Sequence, residues 1–288
     1  MTAEPGSRSL YVSLGAQRYR VERPFGAFDR GRAIVSDVAC DSRSHVFVLL
    51  RLDPLVDAAA DPVVELDPQG GVVRSFGADD ILDAHMLAVD PEDRVVVVDR
   101  DAHRLVVFGP DGKVVRRLGT PERPGEPFSH PSSVAFAADG SFYVADGYGA
   151  SRVQHFSAAG DLIRSFGRRG TGPGEFSTPH GVWVAGDGRV LVTDRENDRL
   201  QVFSAEGEPL DAWPDMPRAM DVWSDAAGSV FVTDQVPRLS RFDRDGRLVG
   251  SCRPVLNGAH GIWGTADGTL YLAEVNPSRI TRLTPVAG

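Results

Sequence analysis

The chain has 288 residues, 42% hydrophobic and 25% charged, with a formal net charge of −9. That composition suits a soluble globular domain with a sizeable core, and the acidic balance argues against a sequence-independent nucleic-acid binder, which needs a basic footprint. No apolar run approaches the ~18 residues that span a membrane, no basic-then-apolar signal segment opens the chain, and two cysteines, Cys40 and Cys252, do not make a disulfide scaffold. One domain over residues 1–288, reduced and cytoplasmic, is expected, with no nucleic-acid or membrane partner.

In chain order, "QRYRVERPFG" (17–26) reads first, as a lone strand. A unit of short β-rich runs begins near Val35, and "LRLDPLVDAAADPVVEL" (50–66) lengthens it, as an inserted loop would. Further units begin near Ala84, Pro131, Pro179, Arg218 and Ala259. In most of them a turn such as "AADG" or "AGDG" leads into a strand such as "SFYVAD" or "RVLVTD". A polar turn and another strand follow ("SRVQHF", "DRLQVF"), then a second turn ("SAAG") and an outer strand ("DLIRSFG"). These are strand and hairpin signals at regular spacing, with almost no 3.6-residue period. A repeat of about 40–50 residues with four short strands fits a β-propeller blade.

The last unit ends at "RITRLTPVAG" without an outer strand, and "QRYRVERPFG" has the look of the missing piece. The expected fold is therefore all-β, a six-bladed β-propeller whose ring is closed by the N-terminal strand near 17–26. Closure removes sheet edges that would template aggregation. An open β-solenoid or two β-sandwiches would show the same strand signals, but not this tail-to-head complementarity.

The turn before each second strand gives a common register: Ser44, Asp93, Gly140, Gly188, Gly228 and Gly268. Eight residues earlier, at the entry to each innermost strand, stand Ser36, His85, Ser132, His180, Met220 and His260. The chain has seven histidines, so three at one structural position is a concentration. Alternate blades of a six-fold ring are related by roughly 120°, so the three imidazoles would converge on the axis as a tripod. Three histidines with one open position are the ligand set of a catalytic zinc site, and imidazole suits other first-row metals as well. The plainer alternative is that each histidine caps a turn or lines the channel.

Six residues after the mark stand Leu50, Asp99, Asp146, Asp194, Asp234 and Glu274. This recurring acid reads as structural, accepting backbone N–H bonds of the adjoining turn. The next position gives Arg51, Arg100, Gly147, Arg195, Gln235 and Val275. Arginines on the same rim as a metal suit bidentate capture of a carboxylate. The alternative is pairing with those recurring acids, which is the expectation for Arg100. Tyr148, between glycines in "VADGYGASR", is either surface packing or a proton-transfer group.

"VADGYGASRVQHFS", "GTGPGEFSTPHGVWV" and "TDRENDRLQVF" resemble the propeller of peptidyl-α-hydroxyglycine α-amidating lyases and, more broadly, NHL-repeat proteins. The resemblance runs from about Val35 to Leu283 and is strongest in the third and fourth units. It implies a six-bladed propeller that cleaves an N-acyl-α-hydroxyglycine to an amide and glyoxylate, with zinc on His85, His180 and His260. It further implies Tyr148 as the catalytic tyrosine and Arg51 and Arg195 as the active-site arginines. It also implies a structural calcium on main-chain carbonyls at positions matching Val38 and Leu87. Gly261 stands where the family has the calcium-binding aspartate, and hard cations favour charged oxygen ligands, which argues against calcium here. Gly149 replaces a half-cystine of the family, and "DAHMLAV" replaces its usual Pro-His-Gly.

The function expected is a metal-dependent C–N lyase for a carbinolamide, a small molecule or peptide end carrying a carboxylate or carbonyl. Another metal-dependent propeller enzyme, lactonase-like or ring-opening, is the first alternative. A non-catalytic NHL scaffold is the second; it would need no aligned ligands.

Overall fold

The computed structural model describes residues 9–53, 55 and 60–287. Residues 1–8 and 288 of the expected domain, and 54 and 56–59 of the expected insertion, lie outside the described residues. Among the described residues, strands and turns are interrupted only by a 3₁₀ turn at Arg195–Asn197, and no helix is long and apolar enough to cross a membrane.

Five four-stranded antiparallel sheets begin at the inner strands Ile34–Cys40, Ala84–Val89, Ser133–Phe136, Pro179–Val184 and Asp221–Ser224. The sixth sheet begins at Ala259–Gly264, continues through Leu270–Glu274 and Arg279–Val286, and takes its last strands from the other end of the chain. Gln17–Glu22 pairs antiparallel with Arg279–Val286, placing Arg18 opposite Val286 and Val21 opposite Leu283. Leu10–Leu14 then adds a fifth strand, which the sequence reading did not include. The ring is thus closed by backbone hydrogen bonds between the chain's two ends.

The register marks recur because the hairpin needs a left-handed residue there. Gly140, Gly188, Gly228 and Gly268 have φ of +82°, +84°, +87° and +82°, and Ser44 and Asp93 take +65° and +58°. Glycine reaches this region without the Cβ clash that penalises other residues. Apolar side chains pack between neighbouring sheets. Ala88, Val96, Val98 and Leu105 of the second blade meet Val134, Phe142, Val144 and Phe156 of the third. Each large buried side chain in such a layer contributes about 1.5–3 kcal/mol of transfer free energy.

Three residues past each entry position, blades four to six carry Trp183, Trp223 and Trp263, and blades one to three carry Ala39, Ala88 and Ala135. Trp183 and Trp263 belong to non-adjacent blades, yet their rings meet nearly perpendicular at 5.1 Å. Their contact therefore lies inside the ring. Trp263 also packs against the cores of blades one to three, so the large residues on one half fill the room left by alanines on the other.

Candidate metal centre

The three entry histidines come together. Their ring centroids are 4.9–5.1 Å apart, and one ligand nitrogen from each lies within 4.8 Å of the others. Each imidazole is oriented by the next blade. Nδ1 of His85 lies 2.7 Å from the Ser132 carbonyl, that of His180 2.7 Å from Met220, and that of His260 2.8 Å from Ser36. Those acceptors are the entry residues of blades three, five and one. A carbonyl only accepts, so Nδ1 carries the proton and each Nε2 faces the centre unprotonated, the arrangement that metal-binding imidazoles use.

His85 and His180 are fully buried, and His260 keeps some exposure toward the cavity it lines. Burial holds the imidazoles of His85 and His180 neutral far below the ordinary range and takes His260 down to about 4; neighbouring histidines and rim arginines add to the effect. Neutral imidazole is the ligating form. Among the described residues, Nε2 of His180 is buried without any hydrogen-bond partner, a costly state unless another atom fills the centre. The donor set therefore fits zinc or a related first-row ion.

Tyr148 stands over the tripod. Its phenol oxygen is 3.1 Å from Nε2 of His85 and accepts a 3.1 Å hydrogen bond from Nη1 of Arg195. Its ring packs edge-to-face on His85, and the guanidinium of Arg100 lies 5.2 Å from the ring centre. Gly147 beside it is required by packing, because a Cβ there would fall 1.8 Å from the Pro179 carbonyl oxygen. Arg195 also pairs with Glu196 at 3.1 Å.

Arg51 reaches the same cavity, a space of about 400 Å³ walled by Ile34, Met220, Gln235, Arg195 and His260. It is not free to swing. The Asp83 carboxylate accepts from Nε of Arg51 at 2.6 Å and Nη2 at 3.1 Å, and a second guanidinium, Arg100, binds the same carboxylate at 2.9 Å. Arg100 thus pairs with acids, but with Asp83 and with Asp101 at 2.9 Å, not with a recurring strand-end acid: Asp99 is held by Arg104. Its contact with Tyr148 was not foreseen. Neither was Asp83, although the departure from Pro-His-Gly in "DAHM" marks the place.

The recurring acids are structural. Asp99, Asp146 and Asp194 accept from the backbone N–H of Asp83, Ser129 and Ser177, and they pair with Arg104, Arg152 and Arg199 at 2.8, 3.2 and 2.8 Å.

At Val38 and Leu87, whose carbonyls are implied for calcium, the backbone N–H groups share one buried acceptor. Both backbone N–H groups donate to the buried Asp37 carboxylate, Val38 to Oδ1 at 2.8 Å and Leu87 to Oδ2 at 2.9 Å. A Cβ at Gly261 would fall 1.8 Å from Asp37 Oδ1, so an aspartate has no room at 261. The calcium ligand set of the resemblance does not fit this chain.

A second buried acid, Asp221, lies in the same layer. Burial pushes its carboxyl up to about 7, and that of Asp37 rises well above the usual range through burial and then the charge of Asp221. The unfolded chain releases this proton near 4 while the fold retains it, so stability falls as pH rises through the 4–7 window. A pKa near 7 in place of 3.8 costs the folded state up to about 4 kcal/mol at pH 8. Asp221→Asn keeps an acceptor for the Ile262 N–H and removes the charge. Its melting temperature should exceed the wild type's at pH 8, with the gap narrowing as pH falls and closing near pH 4, the lower edge of that window; equal curves at pH 8 and pH 4 would contradict this.

The NHL repeat family is matched at residues 128–156 and 176–203, within blades three and four. A probable peptidyl-alpha-hydroxyglycine alpha-amidating lyase of Caenorhabditis elegans is 30% identical over 234 residues, covering 74% of this chain and 67% of the worm protein. Peptidyl-alpha-hydroxyglycine alpha-amidating lyase 1 of Drosophila melanogaster is 30% identical over 257 residues, covering 76% of this chain and 48% of that protein. Among solved structures, a gluconolactonase of Xanthomonas campestris superposes with a TM-score of 0.70 at 16% identity, over 95% of this chain and 91% of that one, a likeness of fold alone. The identity and coverage shared with the worm protein show that this chain belongs to the peptidyl-α-hydroxyglycine α-amidating lyase family, enzymes of the lyase class built on an NHL-repeat propeller.

Proposed function

We propose that this chain is a zinc-dependent C–N lyase that splits an α-hydroxy-amide, N-acyl-α-hydroxyglycine or a close analogue, into an amide and glyoxylate or another aldehyde. The observation that carries this reading is the placement of one phenol oxygen 3.1 Å from both His85 Nε2 and Arg195 Nη1. Beside the tripod, that oxygen would be within proton-transfer reach of a substrate hydroxyl bound there.

Zinc held by His85, His180 and His260 would supply Lewis-acid polarisation of a substrate oxygen. The residues of the chain do the rest. Tyr148 acts here as the tyrosinate, its oxygen held in place by the hydrogen bond from Arg195. Tyr148 then takes the carbinol hydroxyl proton. The carbon–oxygen double bond forms as the C–N bond breaks, and the departing amide nitrogen receives the proton that Tyr148 carries. Hydroxyl proton, bonding pair and leaving group balance without a redox partner. Arg51, held rigid by Asp83, and Arg195 engage the substrate carboxylate from the cavity wall.

The test is incubation of zinc-loaded protein with α-hydroxyhippurate beside a panel of lactones. Equimolar benzamide and glyoxylate are expected. Turnover of lactones with none of α-hydroxyhippurate would replace this reading with the lactonase-like one, to which the gluconolactonase likeness adds only a shared fold.

A further inference from the structure

The residues around the axis alternate with a three-fold logic. Even blades carry His85, His180 and His260 at the entry, and each donates to the following odd blade. The reverse junctions, from odd blade to even, are made one residue further along. There Asp37 accepts from the Leu87 N–H at 2.9 Å, Ser133 from Val182 at 3.3 Å, and Asp221 from Ile262 at 2.9 Å. All three acceptors are buried. Thus all six junctions of the ring carry at least one side-chain-to-backbone bond at the level of the tripod.

The junction between blades one and two is the one where the resemblance implies a calcium ion between the Val38 and Leu87 carbonyls. In this chain the Asp37 carboxylate joins those two residues itself, one oxygen to each N–H, and Gly261 leaves it the space. We propose that Asp37 replaces the structural calcium, so that the ring closes without calcium, and that Asp37 and its counterparts Ser133 and Asp221 are positioning residues for the histidine tripod. The positioning half rests on the reading of the tripod as a metal site; the calcium half does not.

The order of the bonds supports the coupling. His85 projects from the strand whose Leu87 N–H is held by Asp37, and the Ser36 hydroxyl donates to the His85 carbonyl at 2.5 Å. Blade one therefore grips the backbone on both sides of Met86, one residue from the ligand. Releasing that grip lets the imidazole tilt, and supporting bonds of this kind commonly change metal affinity by about 10–100-fold.

The experiment uses the full chain loaded with zinc for melting and with cobalt(II) for spectroscopy. Between calcium-stripped buffer and excess calcium, the wild-type melting temperature should move by less than about 1 °C. Asp37→Ala should lower it by about 5 °C or more, and Asp37→Asn, which keeps one acceptor oxygen, by less. Cobalt affinity should fall about tenfold or more in Asp37→Ala and partly recover in Asp37→Asn. A calcium-induced rise of several degrees in the wild type that vanishes in Asp37→Asn would overturn the replacement. Lowered melting with unchanged cobalt affinity would reduce Asp37 to a structural residue. Should Asp37→Ala fail to fold, Asp37→Asn alone decides both points. Absence of any cobalt binding to the wild type would fail the tripod reading, while the calcium response still tests the replacement.

Discussion

Tyr148→Phe should lower turnover of α-hydroxyhippurate by about 10³-fold while zinc content stays at one per chain. The substitution removes a single oxygen. The ring remains, and with it the edge contact to His85 and the guanidinium of Arg100 at 5.2 Å. None of the tripod's orienting bonds involves the phenol, since each Nδ1 donates to a carbonyl of another blade. The metal site should therefore persist. What is lost is the one group, among the described residues, that bridges His85 Nε2 and Arg195. A general acid–base group typically supplies about 10²–10⁴-fold, and Tyr148 is asked both to take and to return a proton. Binding should change little, because Arg51 and Arg195 remain, so the loss should fall on kcat rather than KM. Activity within about threefold of wild type would remove Tyr148 from the chemistry. Arg195→Ala offers a graded comparison: it removes the donor to the phenol oxygen and one carboxylate contact together, so both kcat and KM should suffer.

The propeller was legible because each blade needs the same turn. The left-handed residue before the second strand is glycine in blades three to six, and Ser44 and Asp93 fill the same role in the first two. Once those positions align, the histidines align with them. That inference needs only a count of residues along strands of fixed rise. The extra strand Leu10–Leu14 was not legible, because a hairpin added to a closed sheet follows from no blade period. Asp83 and Asp37 escaped for a different reason. Each acts across a blade boundary, Asp83 on Arg51 of blade one and Asp37 on Leu87 of blade two. Register places residues within a blade; it does not say which side chains meet across the gap. A faint signal existed for Asp37 and Asp221, since "SDVA" and "MDVW" put an acid at the same step of two odd blades. In an apolar inner strand, such a residue must find a buried partner.

His180→Ala should abolish metal binding and turnover together and leave the propeller standing. His180 Nε2 is the tripod atom that is buried with no hydrogen-bond partner among the described residues, and a bound metal would supply its partner. Its Nδ1 donates to the Met220 carbonyl, but Thr193 Oγ1 donates to the same oxygen at 3.1 Å, so that acceptor is not orphaned by the change. Burial keeps the imidazole neutral, so its removal uncovers no buried charge. The cost to the metal-free fold is a cavity of imidazole size, about 2–3 kcal/mol by analogy with large-to-small core substitutions. The response to zinc separates ligand loss from damage to the fold. A metal at 100 times its Kd stabilises a folded protein by about 2.7 kcal/mol. At about 2–4 °C per kcal/mol, the wild type should melt roughly 5–10 °C higher with zinc than without, and His180→Ala should show no rise. Two histidines on Ser132 and Ser36 carbonyls remain, yet they cannot complete a three-nitrogen set. A variant that still binds one zinc per chain and still melts higher with it would mean that the ion sits elsewhere, and the role assigned to Tyr148 would fall with the tripod.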